Sequence, residues 1–184
     1  VPRLAKAANQ SQGGFHVSIL NSPTINAFSL PSGDLYITRG MVALADDTSE
    51  VAAVIGHELG HVIAHHAFAR ADRERQAVLV SKVMTDVLND PEGGALALAK
   101  SKIALARFSR DQELQADKIS VGLLAGAGYD PFAMSRILTN MQRNGALASG
   151  QDSGESAPHV DFLSSHPSTP QRVQLAVQEA QATS

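Results

Sequence analysis

The stretch VIGHELGHVIAHH, residues 54–66, sets His57, Glu58 and His61 into an otherwise apolar run. Whether these residues form a metal site or merely decorate a helix decides how the whole chain is read. Just upstream, DDTSE (46–50) carries a helix start. Asp47 can accept a backbone N–H, and Glu50, three residues on, can reach back as in a capping box. Apolar residues continue at Val51, Val54, Ile55, Leu59, Val62 and Ile63, the spacing of one helical face. The pattern predicts a helix running to Arg70 or beyond. On it, His57 and His61 point the same way and can bind one Zn²⁺. Glu58 is turned roughly 100° from His57. It cannot share that ligand set, but it can act as general base on a water at the metal, which is the chemistry of an HExxH motif.

Chance is a weak rival. With seven histidines and seven glutamates in 184 residues, a random HExxH has a probability of about 1%. Gly56 and Gly60 flank the motif, and each costs up to ~1 kcal/mol against Ala in a helix interior. Such residues point to close approach by another backbone or a ligand. His65 lies about 12 Å along the axis from His57, too far to share a metal with it. His66 faces elsewhere on a continuous helix, and both read as surface or supporting residues.

The totals bound what else the chain can be. Its length suits one domain with one core, and 43% apolar with 18% charged residues is an ordinary globular composition. The net charge of -3 has both signs interspersed and no basic block, which argues against nucleic acid as a partner. The absence of cysteine excludes disulfides, thiolate catalysis and thiolate ligands, so any metal must sit on His and carboxylate groups. No apolar run approaches the ~20 residues of a membrane span. The first residue is Val rather than Met, so the chain reads as a mature or trimmed form, which leaves room for a lost leader or lipid anchor.

Along the chain, residues 2–12 read as a short helix and FHVSIL (15–20) as a strand. TINAFSL (24–30) and DLYITRG (34–40) flank PSG and predict an antiparallel hairpin. A further helix is expected over about 74–89, broken by NDPEGG (89–94). Ser109 with Gln112 resembles a second cap that starts another helix. Asp130 and Pro131 stop one helix and start the next, and a last helix begins near Pro170. The small, polar stretch at 145–156 is expected to be a mobile loop. That loop and the helical hairpin at 74–108 are expected to cover the active cleft.

A catalytic zinc takes three protein ligands and keeps one position open. The candidates for the third are His16, His159, His166 or a carboxylate. QELQAD (112–117) places Glu113 and Asp117 four apart on one helical face. One carboxylate can ligate the metal while the other accepts the second N–H of a ligating His and fixes its tautomer. In SSHPSTPQR (164–172), His166 and Arg172 can stabilise an oxyanion or occupy the open position.

HELGH (57–61), ELQAD (113–117) and HPSTPQR (166–172), in that order, resemble the M48 zinc metallopeptidases. INAFSLPSGDLYITRGM (25–41) and FSRDQELQADKISVGLLAGAGYDP (108–131) are similar to the same family. That family includes a membrane protease that trims prenylated proteins, mitochondrial stress proteases and periplasmic quality-control proteases. The resemblance covers about residues 15–175. It implies an α+β, mostly helical, zincin-like fold with a small antiparallel sheet beside the active-site helix, and a single catalytic domain over 1–184. It implies one Zn²⁺ per chain on His57, His61 and Glu113, with Glu58 as base and Asp117 supporting a ligating His. Asn26, Ala27 and Phe28 would lie on the strand bordering the substrate cleft, where a peptide can add as a further strand. His166 and Arg172 would approach the metal from the C-terminal side. In some relatives the equivalent His closes the fourth position and keeps the enzyme latent. Unlike some branches, this sequence has neither membrane helices nor a helical-repeat domain, which fits a soluble or lipid-anchored protein of the bacterial periplasm or cell envelope.

The leading expectation is therefore a zinc endopeptidase acting on misfolded or envelope polypeptides. The alternative of a different class is a metal-binding, non-proteolytic module that holds extended peptide at its sheet edge, as a chaperone would. A helical structural protein with incidental histidines is the third reading.

Overall fold

Helix α3 (Thr48–Ile63) forms where the sequence places it. The Asp47 side chain accepts the Glu50 N–H at 2.9 Å, and Glu50 Oε2 accepts the Asp46 N–H at 3.0 Å, so the two carboxylates cap the first turn. Residues on nearly every side of the helix are buried, from Ala52 and Ala53 through His57, Glu58, Leu59 and Gly60. The structure, a computed structural model, describes residues 2–8, 15–150 and 162–183. Around α3 lie α1 (Pro2–Ala7), β1 (His16–Leu20), β2 (Ala27–Ser29), β3 (Asp34–Thr38), α2 (Arg39–Leu44) and α4 (His66–Lys82). They are followed by α5 (Pro91–Gly126), α6 (Ala133–Gly150), α7 (Phe162–Ser165) and α8 (Pro170–Thr183). One hydrophobic cluster runs from Leu4 on α1 through Val54, Leu124 and Ile137 to Ala180 on α8.

The close approach signalled by Gly56 and Gly60 is made by α5. A Cβ at Gly60 would lie 3.0 Å from both the Cα and the carbonyl oxygen of Ala116, and one at Gly56 would lie 2.7 Å from Ser120 Oγ. Ser120 Oγ in turn donates to the Ala53 carbonyl at 2.8 Å, so the crossing is pinned by a buried hydrogen bond. At the other end of α3, Arg136 of α6 donates to Glu50, Asp47 and Asp130.

Three local expectations are corrected. The helix does not continue to Arg70: it ends at Ile63, and His65 takes a left-handed conformation (φ 54°) before α4 starts. Contacts from α5 hold this break, since Gln112 Nε2 donates to the His66 carbonyl at 3.1 Å and Gln115 meets the His66 ring. No helix starts at Ser109, because α5 is one helix from Pro91 to Gly126. The Ser109 hydroxyl accepts from Arg70 of α4 at 2.9 Å instead of capping its own helix. The stretch from 145 is helical to Gly150, and 151–156, like His159 and residues 9–12, lies outside the described residues. The expected break at NDPEGG is present. After a π-type turn at Val83–Val87, Asn89 is left-handed and Asp90 caps α5 by accepting the Gly93 N–H at 2.8 Å.

The sheet has the order β1–β3–β2. The β2–β3 hairpin is antiparallel as expected, with Gly33 at φ 93° in its turn. β1, however, pairs with β3 in parallel, so the sheet is mixed rather than wholly antiparallel. The cause is the path of the chain between β1 and β2, which crosses the end of β3. There the Gly40 N–H donates to the Ser22 carbonyl at 3.0 Å, and a Cβ at residue 40 would lie 2.1 Å from the Pro23 carbonyl oxygen. β2 is left as the edge strand beside α3.

The helix crossing makes a prediction. Gly60→Ala adds a methyl against backbone, which cannot move aside, whereas Gly56→Ala meets a side-chain oxygen, which can rotate away. Gly60→Ala is therefore expected to destabilise by about 1–3 kcal/mol despite its better helix propensity. Gly56→Ala is expected to cost less, and to be rescued in part by Ser120→Ala. Thermal unfolding of the four proteins checks the order.

Candidate metal centre

The α3–α5 crossing sets His57 and His61 opposite Glu113 and Asp117, since each pair is four residues apart on its helix. His166 joins from the bend after α7, where its N–H bonds to the Phe162 carbonyl at 2.8 Å and its ring stacks on Phe162 with centroids 4.5 Å apart. His57 Nε2, His61 Nε2, His166 Nδ1 and the Glu113 carboxylate converge within 4.8 Å of one another. His57 Nε2 is 3.1 Å from His61 Nε2 and 3.3 Å from His166 Nδ1. Glu113 oxygens lie 3.4 Å from each of the first two histidines and 3.0 Å from His166 Nδ1.

A tetrahedron of N and O donors at ~2.0–2.1 Å from a zinc ion has edges of about 3.3–3.4 Å, close to this spacing. Three imidazole nitrogens brought so near one another repel unless a cation lies among them. The donor set therefore fits a four-coordinate metal, and its composition, imidazole and carboxylate with no thiolate, suits zinc.

The candidate donors are held from behind. His57 Nδ1 donates to Asp117 Oδ1 at 2.9 Å, which leaves Nε2 facing the cluster. The Arg172 guanidinium forks onto Asp117, with Nε and Nη2 each 2.7 Å from a carboxylate oxygen. Its Nη1 donates to the His166 and Pro167 carbonyls at 3.3 and 3.0 Å and lies 3.1 Å from Glu113 Oε2. The donors of Arg172 are thus directed at the ligands and the His166 loop, and this residue does not line the cleft.

His61 has a different support, His66, which the sequence left as a surface or supporting residue without naming its partner. Its Nδ1 lies 2.8 Å from His66 Nδ1, and His66 Nε2 lies 3.1 Å from Gln115 Oε1. On a continuous helix residues 61 and 66 would point roughly 140° apart. The break at His65 brings them together.

Burial and charge set the protonation of the metal-free cluster. Burial pushes His57 down, but hydrogen bonds to Asp117 and Glu113 and their charges overcome it, and the imidazole is raised to about 9. His61 is pushed down to about 2 by burial and by the neighbouring His57. Burial pushes Glu113 up, yet its hydrogen bonds with His166 and His57 hold it well below the carboxylate range. Asp117 is held down against its own burial, chiefly by Arg172 and then His57.

Glu58 borders the cluster but is not part of it. Ser29 Oγ of β2 donates to Glu58 Oε2 at 2.8 Å. The other oxygen, Oε1, is buried with no hydrogen-bond partner and lies 3.6 Å from His166 Nε2. A cleft of about 320 Å³ opens here, lined by Phe28, Ser29 and Leu30 on one side and His65, Phe68 and Arg70 on the other. Of the hairpin at 74–108 expected as a cover, Glu74 alone among the described residues lines the cleft, together with Arg70 and Ala71 just before it on α4. Of the strand residues expected at the cleft, Phe28 lines it, while Ala27 is buried in the core and Asn26 lies just before β2. Asn26 and Leu30 bond to β3 through their backbones, so by antiparallel alternation the backbone groups of Ala27 and Ser29 face away from β3, along the sheet edge.

Comparison with known proteins agrees with this geometry. The model of peptidase family M48 matches residues 1–180. The mitochondrial metalloendopeptidase OMA1 of Arabidopsis thaliana is 34% identical over 169 residues, covering 89% of this chain and 31% of that protein. The beta-barrel assembly-enhancing protease of Escherichia coli (strain K12) is 30% identical over 149 residues, 76% of this chain and 30% of that protein. The metalloendopeptidase OMA1 of Homo sapiens is 29% identical over 174 residues, 89% of this chain and 32% of that protein. The chain thus spans about a third of the length of these relatives.

The His57 shift predicts how the metal-free protein responds to pH. Its folded pKa lies above the unfolded value of 6.5, so its contribution to stability is complete below that value and is lost as pH rises through about 9. The melting temperature of metal-free protein is expected to fall by several degrees between pH 7 and 9.5. That of metal-loaded protein, in which His57 is already deprotonated, should change less. Calorimetric scans with and without chelator check this.

Proposed function

Since the chain belongs to peptidase family M48, we propose that it is a zinc-dependent endopeptidase, with His57, His61 and Glu113 as zinc ligands and Glu58 as the general base. The observation that carries this reading is the convergence of four donor atoms at tetrahedral spacing beside a buried, unpartnered carboxylate oxygen. A zinc ion held there would supply Lewis acidity to the scissile carbonyl and lower the pKa of a water toward ~7. Ser29 occupies Oε2 of Glu58 and so orients Oε1 for the attacking water. Oε1 takes the proton and later returns it to the leaving amine. Asp117 fixes the tautomer of His57, and Arg172 fixes Asp117; these are positioning residues.

His166 takes the fourth position in this arrangement. A catalytic zinc needs that position open, so we read the structure as the resting form, from which His166 must withdraw before a carbonyl can bind. The substrate is an extended polypeptide that pairs with the outward backbone groups of Ala27 and Ser29 and lays side chains against Phe28 and Phe68. We take the whole chain, 1–184, as one catalytic unit, supported by the single core that joins α1 to α8. We place it in the bacterial envelope, supported by likeness to the Escherichia coli protease named for enhancing β-barrel assembly. OMA1 is named as mitochondrial, so this domain type also works elsewhere. Among the described residues no helix is long and apolar enough to cross a membrane. A non-proteolytic chaperone is not favoured, because every group that hydrolysis needs converges at the site.

Two experiments test the reading. Glu58→Gln should retain one zinc per chain by elemental mass spectrometry while cleavage of an unfolded protein falls about 10²–10⁴-fold; full activity in the zinc-loaded variant would refute the role of Glu58. His166→Ala should keep zinc and raise cleavage. A fall in its activity would show that His166 serves the reaction itself rather than closing the site.

A further inference from the structure

We propose that His66 and Gln115 form a hydrogen-bonded chain that fixes the tautomer of His61, leaving His61 Nε2 bare toward the metal. The inference rests on the zinc reading above and extends it to two residues outside the ligand set. Its basis is three contacts in series. His61 Nε2 faces the cluster, 3.1 Å from His57 Nε2 and 3.4 Å from Glu113 Oε1. His61 Nδ1 faces His66 Nδ1 at 2.8 Å, and His66 Nε2 faces Gln115 Oε1 at 3.1 Å.

Two nitrogens 2.8 Å apart share one proton, so one donates and the other accepts. The amide oxygen of Gln115 only accepts. His66 therefore carries its proton on Nε2 and donates it to Gln115, which leaves His66 Nδ1 as an acceptor. That acceptor takes the N–H from His61 Nδ1, and a neutral imidazole with its proton on Nδ1 has a free lone pair on Nε2. The polarity could run the other way only if the Gln115 amide were turned over to donate. His66 Nδ1–H would then donate to His61 Nδ1, and the His61 proton would sit on Nε2, pointing into the ligand cluster. Such an imidazole cannot ligate a metal, so ligation and the Gln115 acceptor select the same direction.

The two ligating histidines of α3 are thus oriented by different chemistry. His57 has a carboxylate, Asp117, backed by a guanidinium, whereas His61 has a neutral imidazole backed by a neutral amide. The neutral chain exists because α3 breaks at His65 and turns His66 back onto the preceding helix, where Gln112 holds its carbonyl. His66 is buried, while Gln115 lies on the exposed side of α5. Gln115 can therefore be replaced without disturbing the core.

The test measures zinc affinity by competition with a chromophoric chelator in wild type, His66→Phe, His66→Asn and Gln115→Leu. Imidazole ¹⁵N shifts of zinc-loaded wild type and Gln115→Leu are recorded alongside. His66→Phe keeps a ring but removes the acceptor, and should weaken zinc about 10–100-fold. His66→Asn puts an amide oxygen near the position of Nδ1 and should recover most of that loss. Gln115→Leu should weaken zinc less than His66→Phe, and should replace the single Nε2–H tautomer of His66 seen in wild type with a mixture. Unchanged affinity in both His66→Phe and Gln115→Leu would overturn the proposal. So would equal loss in the Phe and Asn variants, or an Nδ1–H tautomer of His66 in wild type. A wild type that binds no zinc would overturn the functional reading itself, and that result is distinct from the others.

Discussion

The contact between α3 and α5 at Gly60 and Ala116 is the constraint on which the rest of the molecule depends. Two helices that meet through side chains lie 8–10 Å apart, as is usual in proteins. Here a Cβ at Gly60 would meet Ala116 backbone at 3.0 Å, so the axes are drawn closer than larger residues would permit. Only then can short side chains bridge the gap. Asp117 reaches His57 directly, and Glu113 comes within ligand spacing of both His57 and His61. The glycines that weaken α3 as an isolated helix are what allow it to supply half of the donor cluster. The hydrogen bond from Ser120 to the Ala53 carbonyl fixes the register of the crossing, one turn further from the site.

That proximity concentrates charge among side chains that are almost wholly buried, and the charges must balance. Glu113 and Asp117 are both held in the ionised form, and Arg172 neutralises one of them. The remaining negative charge raises the affinity of His57 for a proton, even though burial works against it. On the proposed reading, a divalent cation at the cluster would displace that proton and supply the missing positive charge. An isolated buried pair gives little net stability, because desolvation takes back most of the Coulomb gain. A set of groups whose charge is completed by an ion makes the binding of that ion part of folding.

The sequence made the chemistry legible and left the shape partly hidden, for a physical reason. HELGH declares its paired imidazoles through local spacing alone, and the four-residue step from Glu113 to Asp117 does the same for two carboxylates. The Asp47 and Glu50 cap, the turn at Gly33 and the break at NDPEGG are likewise decided within a few residues. What failed was decided at long range. Val62 and Ile63 continue the helical pattern smoothly, and the break at His65 is held by Gln112 and Gln115 from a helix some fifty residues away. Ser109 has the chemistry of a cap, but Arg70 claims its hydroxyl. The parallel pairing of β1 follows from a crossing at Gly40 that no local pattern encodes. The site residues fell into the same two groups. The donors that converge were readable and His66 was read as a surface or supporting residue, whereas its partner, and the contacts of Ser29 and Gln115, required knowing which elements touch.

The four donors around the cluster are not equally anchored, and the difference bears on how the site opens. His57 and His61 stand on a buried sixteen-residue helix, and Glu113 on one of thirty-six residues. His166 follows a four-residue helix and is held by its stacking on Phe162, one hydrogen bond to the Phe162 carbonyl and two from Arg172 to its loop. Withdrawing any of the first three from the cluster means deforming a long helix in the core. Removing His166 means rotating a bend and releasing the Arg172 contacts to two carbonyls, while the fork of Arg172 onto Asp117 remains in place. The orientation of His57 is therefore insulated from the movement of His166. On the proposed reading, a site built this way would exchange its fourth donor for a substrate carbonyl and still hold the metal with the other three.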